Sequence, residues 1–86
     1  MTLEELRPGE SGMMEKVTAK GMLAQRLMDM GLYPGVEIKV IRNAPLEDPV
    51  HVEADGSSVS IRHEEARFVQ VRPTARASSG KSEGRG

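Results

Sequence analysis

Apolar residues recur at two different spacings along this chain, and the switch between them marks its elements. In VEIKVI, Val36, Ile38 and Val40 alternate with Glu37 and Lys39. A period of two places one set of side chains on a single face of a strand, so that face is the buried one. VHVEA repeats the pattern with Val50 and Val52 against His51 and Glu53, SVSIR with Val59 and Ile61, and FVQV with Val69 and Val71. GMMEKVT, after the Pro-Gly turn signal in RPGESG (Arg7 to Gly12), reads as a first strand. RNAPLEDP, with two prolines and an Asn, is the loop between the second and third strands. Asp55-Gly56 closes a tight hairpin, and HEEAR reads as one helical turn before the last strand.

Between the first and second strands the spacing changes to i, i+4, i+7 at Leu23, Leu27 and Met30, which predicts a helix over Met22 to Met30. Gly31 stands where a left-handed residue ends a helix, and Pro34 and Gly35 turn the chain into the next strand. Arg26 and Asp29 mark the wet face of this helix, while Met22 and Met28 lie to the sides of its apolar stripe. Five short strands with one inserted helix predict a mainly β fold. A flat sheet this short would expose its apolar face and its edges, so the expectation is a small, strongly bent antiparallel barrel. Its expected core is Leu6, Met14, Val17, Leu23, Leu27, Met30, Leu32, Val36, Ile38, Val40, Val52, Val59, Ile61, Val69 and Val71.

With 86 residues and 37% hydrophobic content, the chain holds one core and no second. Residues 1–72 are the expected domain. From Pro73 onward PTARASSGKSEGRG has no large apolar residue, so residues 73–86 are expected to form a disordered tail. Ala75 with Gly80, Lys81 and Ser82 fits the looser form of the phosphate-binding loop. That loop works between a strand and a following helix, for which four residues leave no room, so nucleotide binding is not expected.

Charge and residue usage remove several classes of function. Met1 to Arg72 carries nine Lys/Arg against twelve Asp/Glu, a mildly acidic balance, and Tyr33 and Phe68 are the only aromatics. A basic stripe and stacking platforms for nucleic acid are therefore missing. No cysteine is present, which excludes disulfides, thiolate nucleophiles and sulfur-based metal sites, and fits the cytosol. MTLEELRPGE opens with acids rather than a signal peptide, and no segment approaches a membrane span, so the expectation is a cytoplasmic chain without direct membrane insertion.

The candidate chemistry is sparse. His63-Glu64-Glu65 begins like the HExxH zinc motif, but Arg67 stands where the second His belongs. His51 and Glu53 point to one side of their strand, so with His63 they are the only candidates for a weak divalent site taking ferrous iron or zinc. No cofactor is required by any motif. No Ser sits in a GxSxG elbow, and Glu4-Glu5, Glu47-Asp48 and Glu64-Glu65 read as solvated pairs at turns, so the chain is not read as an enzyme. What remains is a contact surface. Leu46 sits between Pro45 and Pro49 in a loop stiffened by both prolines, the setting of a small anchor, and Met22, Met28 and Tyr33 are left over at the helix edge.

Taken together, LRPGESG, RLMDMGLYPG, VEIKVIRNAPLEDPV and SIRHEEARFVQV, in that order and spacing over about residues 3 to 72, resemble the ferrous iron transport protein A (FeoA) family. By position, Gly31, Pro34 and Gly35 match the family's helix-to-strand turn. Ala44, Pro45, Leu46, Asp48 and Pro49 match its APLGDP loop, and Arg62 matches its LALR strand. Glu47 stands where the family usually has Gly, and Ser57 where an aromatic often follows the hairpin. The resemblance implies an SH3-like β-barrel that serves as a cytosolic accessory of the FeoB-type ferrous iron transporter, whose cytosolic part is a G protein. It leaves as alternative a metal-binding or metal-sensing domain like the C-terminal domain of DtxR-like repressors, with His51, Glu53 and His63 as ligands. A binder of proline-rich peptides is disfavoured, because such grooves are lined by several aromatics.

Overall fold

A computed structural model describes residues 1–75. Five strands, β1 (Ser11–Val17), β2 (Glu37–Arg42), β3 (Val50–Ala54), β4 (Ser57–Ile61) and β5 (Val69–Ala75), pair antiparallel in the order β4-β3-β2-β1-β5. Helix α1 (Met22–Asp29) lies between β1 and β2, α2 (His63–Ala66) lies between β4 and β5, and a 3-10 turn covers Leu3–Glu5. β2 to β5 were legible from alternation, because each buries one face: β2 reads exposed-buried at Glu37, Ile38, Lys39 and Val40. β1, whose burial does not alternate, was legible from the turn signal before it. Register shifts interrupt β1 against β5 and β2 against β3, and such bulges bend and twist a strand. One apolar cluster takes residues from all five strands, both helices and the 3-10 turn.

The sheet is strongly bent around this core, as expected of a small antiparallel barrel, but it is not closed. β4 and β5 are its two edges and do not pair with one another. The outer edge of β5 is instead occupied by the N-terminal residues: Thr2 bridges to Gln70, and the Val71 N–H donates to the Met1 carbonyl at 2.8 Å. β5 also runs three residues past the expected domain end at Arg72. Pro73 pairs with Gly12, and the Thr74 hydroxyl donates to Glu37 Oε2 at 2.9 Å. Pro73 lacks an N–H, which an edge strand tolerates. The rest of the expected tail, with Gly80, Lys81 and Ser82, lies outside the described residues.

Helix α1 ends as its sequence requires. With Met30 as the last helical-type residue, Gly31 takes φ 100°, its N–H donates to the Met28 carbonyl, and the Leu32 N–H donates to the Leu27 carbonyl, each at 3.0 Å. That is the paired bonding of a Schellman cap, whose accompanying apolar contact is supplied by the fully buried Leu27 and Leu32. Leu27 is the deepest residue of the stripe; Leu23 and Met30 are only partly buried, as is Val17. Leu3, Val50, Ala54 and Ala66 join the core, although none was in the expected set.

Glu65 corrects the view of the carboxylate pairs as solvated. It is 6% exposed, its Oε1 accepts the Arg62 N–H at 3.0 Å, and its Oε2 meets Arg26 Nη1 at 3.0 Å. Glu5 plays the same capping part for the 3-10 turn, where its Oε1 accepts the Thr2 N–H at 2.7 Å.

Candidate functional site

The loop between β2 and β3 is held at both ends and free at its apex. At its start the Asn43 amide donates to the carbonyls of Glu4 and Leu6 at 2.9 and 2.7 Å, which fastens it to the 3-10 turn. His63 fastens it to α2: its ring Nε2 lies 3.0 Å from the Ala44 carbonyl, and its backbone N–H donates to Asp48 Oδ1 at 2.8 Å. The other ring nitrogen, Nδ1, lies 3.3 Å from Glu4 Oε2. Between these anchors Pro45, Leu46 and Glu47 project, and Leu46 is fully exposed.

The apex is a tight turn of a kind that occurs three times in this chain. In Arg7–Glu10, Tyr33–Val36 and Ala44–Glu47 a Pro is the second residue, the third residue has φ of 90°, 95° and 65°, and the fourth N–H donates to the first carbonyl. This is the pattern of a type II turn, whose third position favours Gly because L side chains are strained there. Gly9 and Gly35 fill it in the first two; Leu46 fills it in the third. A large apolar side chain is thus held in solvent at the one Pro turn where backbone geometry argues against it. Glu47, the fourth residue of this turn, is not in the left-handed region.

Leu46 and Pro45 line an open cleft with Leu6, Pro8, Arg7 and Arg67, bounded by the 3-10 turn and α2. The acids at this cleft are committed within the fold: Glu4 faces His63, Glu5 caps the 3-10 turn and Asp48 accepts the His63 N–H. Arg7 and Arg67 have no ion-pair partner among the described residues, so they are two cations at this cleft that the fold leaves available to a partner's carboxylates. Nothing in the sequence pattern singled out Arg7, Asn43 or Arg67 for this surface, because three separate segments assemble it.

The other candidates are dispersed. Tyr33 is 41% exposed and lines a different depression, with Lys39, Glu53 and Asp55, and Met22 stands exposed at the start of α1. Pro49 closes the loop beside β3. Gly31, Pro34 and Gly35 form the helix cap and the second Pro turn, as the sequence pattern indicated. His51 lies on β3 with Nδ1 3.1 Å from the Ser60 hydroxyl, and Glu53 lies in the depression with Tyr33. His63 is at the loop clasp, with Nε2 against the Ala44 carbonyl and Nδ1 against Glu4 Oε2, so both ring nitrogens already face oxygens of the fold. Among the described residues no three His, Asp or Glu side chains converge as a ligand set.

Comparison with known proteins adds the lineage. The FeoA domain family matches residues 1–73. This chain belongs to the FeoA family. It is 35% identical over 71 residues to an Fe(2+) transport protein A/Fe(2+) transporter FeoB fusion protein of Porphyromonas gingivalis, a match covering 83% of this chain. The chain spans only 8% of that relative's length. Among solved structures it is similar to an iron uptake regulatory protein (FeoA), with TM-score 0.81 and 30% identity over 86% of this chain and 97% of the other. It is also similar to Stenotrophomonas maltophilia FeoA complexed with zinc, described as a prokaryotic SH3 domain protein. That match has TM-score 0.73 and 31% identity, covering 83% of this chain and 88% of the other. The SH3-like architecture of this FeoA domain follows. A manganese-dependent transcriptional repressor shares the fold alone, with TM-score 0.79 at 16% identity over 85% of this chain and 40% of the other.

Proposed function

We propose that this chain is a cytoplasmic accessory of ferrous iron uptake that acts by contact with a FeoB-type transporter, through the loop that carries Leu46. The observation that carries this reading is the Leu46 turn. Exposed apolar side chains in left-handed turn positions cost stability, and such local strain persists where function needs the side chain. The rigid base of the loop lowers the ordering cost of docking, because Asn43, His63 and Asp48 already fix its ends. A relative in which the FeoA part is fused to a FeoB transporter supports physical association between the two. Arg7 and Arg67 beside Leu46 suit a partner surface that offers an apolar socket with carboxylates nearby.

The alternative of a metal-binding or metal-sensing domain has fold likeness to a repressor and a zinc-complexed relative in its support, but its candidate ligands do not converge among the described residues. The test is binding of this chain to the cytosolic region of a FeoB transporter, with ferrous iron uptake followed in cells. Leu46→Glu should leave the fold intact, weaken binding at least tenfold and lower uptake. Replacing Arg7 and Arg67 together by Glu should weaken binding and reduce its dependence on salt. A folded Leu46→Glu protein that binds and supports uptake normally removes the loop from the mechanism.

A further inference from the structure

Unlike β5, whose outer edge is taken by Met1 and Thr2, β4 presents an uncovered edge. Its residues Ser57–Ile61 pair only with β3, in unbroken register from Ala54 opposite Ser57 to Val50 opposite Ile61. Asp55 and Gly56, with φ 52° and 80°, form the two-residue turn, so Ala54 and Ser57 are the closing hydrogen-bonded pair. Alternation then makes Val52–Val59 and Val50–Ile61 the other bonded pairs. The residues between them, Ser58 and Ser60, direct N–H and C=O away from β3. No backbone hydrogen bond among the described residues takes up those groups.

Exposed edges are ordinarily blunted by charge, proline or a bulge. SSVSI has no charge and no proline, its register has no shift, and Ser58 and Ser60 are the side chains on its outer face. We propose that β4 pairs with β4 of a second copy of this chain, antiparallel about a twofold axis at Val59. Ser58 of each copy then exchanges both main-chain hydrogen bonds with Ser60 of the other, and Val59 meets Val59 as the pair between. The same register sets Gly56 opposite Arg62, which continues the strand with φ −82° and ψ 153°. Arg62 of one copy therefore reaches the hairpin tip of the other, at Asp55. Both residues are exposed, and neither has an ion pair among the described residues. This complementarity repeats on both sides of the axis, and it selects a second copy over an unrelated strand.

The contact is small, so the dimer is weak and reversible, with a dissociation constant on the order of 0.1–1 mM. Sedimentation velocity of the full chain from about 10 µM to about 1 mM should show a monomer giving way to a dimer. In the parent protein, amide NMR signals that shift on dilution should be confined to residues 55–62. Ser58→Pro removes an N–H that β3 does not use, so the fold should remain by circular dichroism while the dimer disappears. Asp55→Asn, which keeps a turn-competent residue, should weaken association several-fold and reduce its salt dependence. A monomer over the whole series, dilution shifts located elsewhere, or a dimer unaffected by Ser58→Pro in a folded protein would each overturn the proposal.

Discussion

Arg26 Nη1 lies 3.0 Å from Glu65 Oε2, so the exposed face of α1 is tied to a carboxylate buried in the first turn of α2. The two partners are unequal. Arg26 is largely in water, where an ion pair contributes little. Glu65 is buried and also accepts the Arg62 N–H, so its removal leaves a backbone donor without a partner. Glu65→Ala is therefore expected to cost about 1–3 kcal/mol in urea unfolding. Arg26→Ala should cost less than about 1 kcal/mol. Equal losses from the two substitutions would mean that the ion pair, not the cap, holds α2.

Leu27 is fully buried at the centre of the helix stripe and accepts the Leu32 N–H through its carbonyl. Truncation to Ala is expected to cost about 2–5 kcal/mol, a large part of the stability of a domain this size. Met28→Ala, on the half-exposed side of the same helix, should stay within about 1 kcal/mol of the parent. Matching melting curves for Leu27→Ala and the parent would show that the stripe does not carry the core.

Gly12 is buried where β1, β5 and Leu6 approach most closely. A Cβ there would stand 3.2 Å from Val71 Cβ and 3.3 Å from both the Arg72 carbonyl and Leu6 Cδ1. The carbonyl belongs to the paired strand and cannot yield without disturbing the ladder. Gly12→Ala should therefore destabilise by about 1–3 kcal/mol, measurable as a lower urea midpoint with an unchanged slope.

Leu46→Gly should melt at or above the parent temperature, since the turn position prefers Gly, while binding to the transporter's cytosolic region falls. Gly35→Leu, the reverse exchange at the equivalent position of the second Pro turn, should lower the melting temperature. A Leu46→Gly protein that is clearly less stable would show that Leu46 packs in the fold and is no free anchor.

Titration with zinc or ferrous iron should give weak binding without fixed stoichiometry, because His51, Glu53 and His63 serve three separate settings. Replacing His51 and His63 together should abolish what binding there is, as imidazole is the strongest donor type in the chain. Tight stoichiometric binding that survives both replacements would require a carboxylate site.

By itself the sequence determined the elements. Alternation at Val36, Ile38 and Val40 or at Val59 and Ile61, the stripe of Leu23, Leu27 and Met30, and the punctuation by Gly31, Pro34 and Asp55-Gly56 act between near neighbours, so a short window contains their cause. The same locality explains why the Leu46 loop stood out: two prolines around one apolar residue are visible without any fold. Only the tertiary structure decided what lies far apart in sequence and close in space. The buried Glu65 meets Arg26 from a distant helix, and burial of Leu3 goes with the 3-10 turn that joins the core cluster. The cleft beside Leu46 depends on Arg7, Asn43, His63 and Arg67 meeting from three segments. The open edge at β4 has the same kind of origin. Alternation says that a strand has two faces, but which strand ends a sheet is set by the order in which long-range pairs form, and no local pattern contains that order.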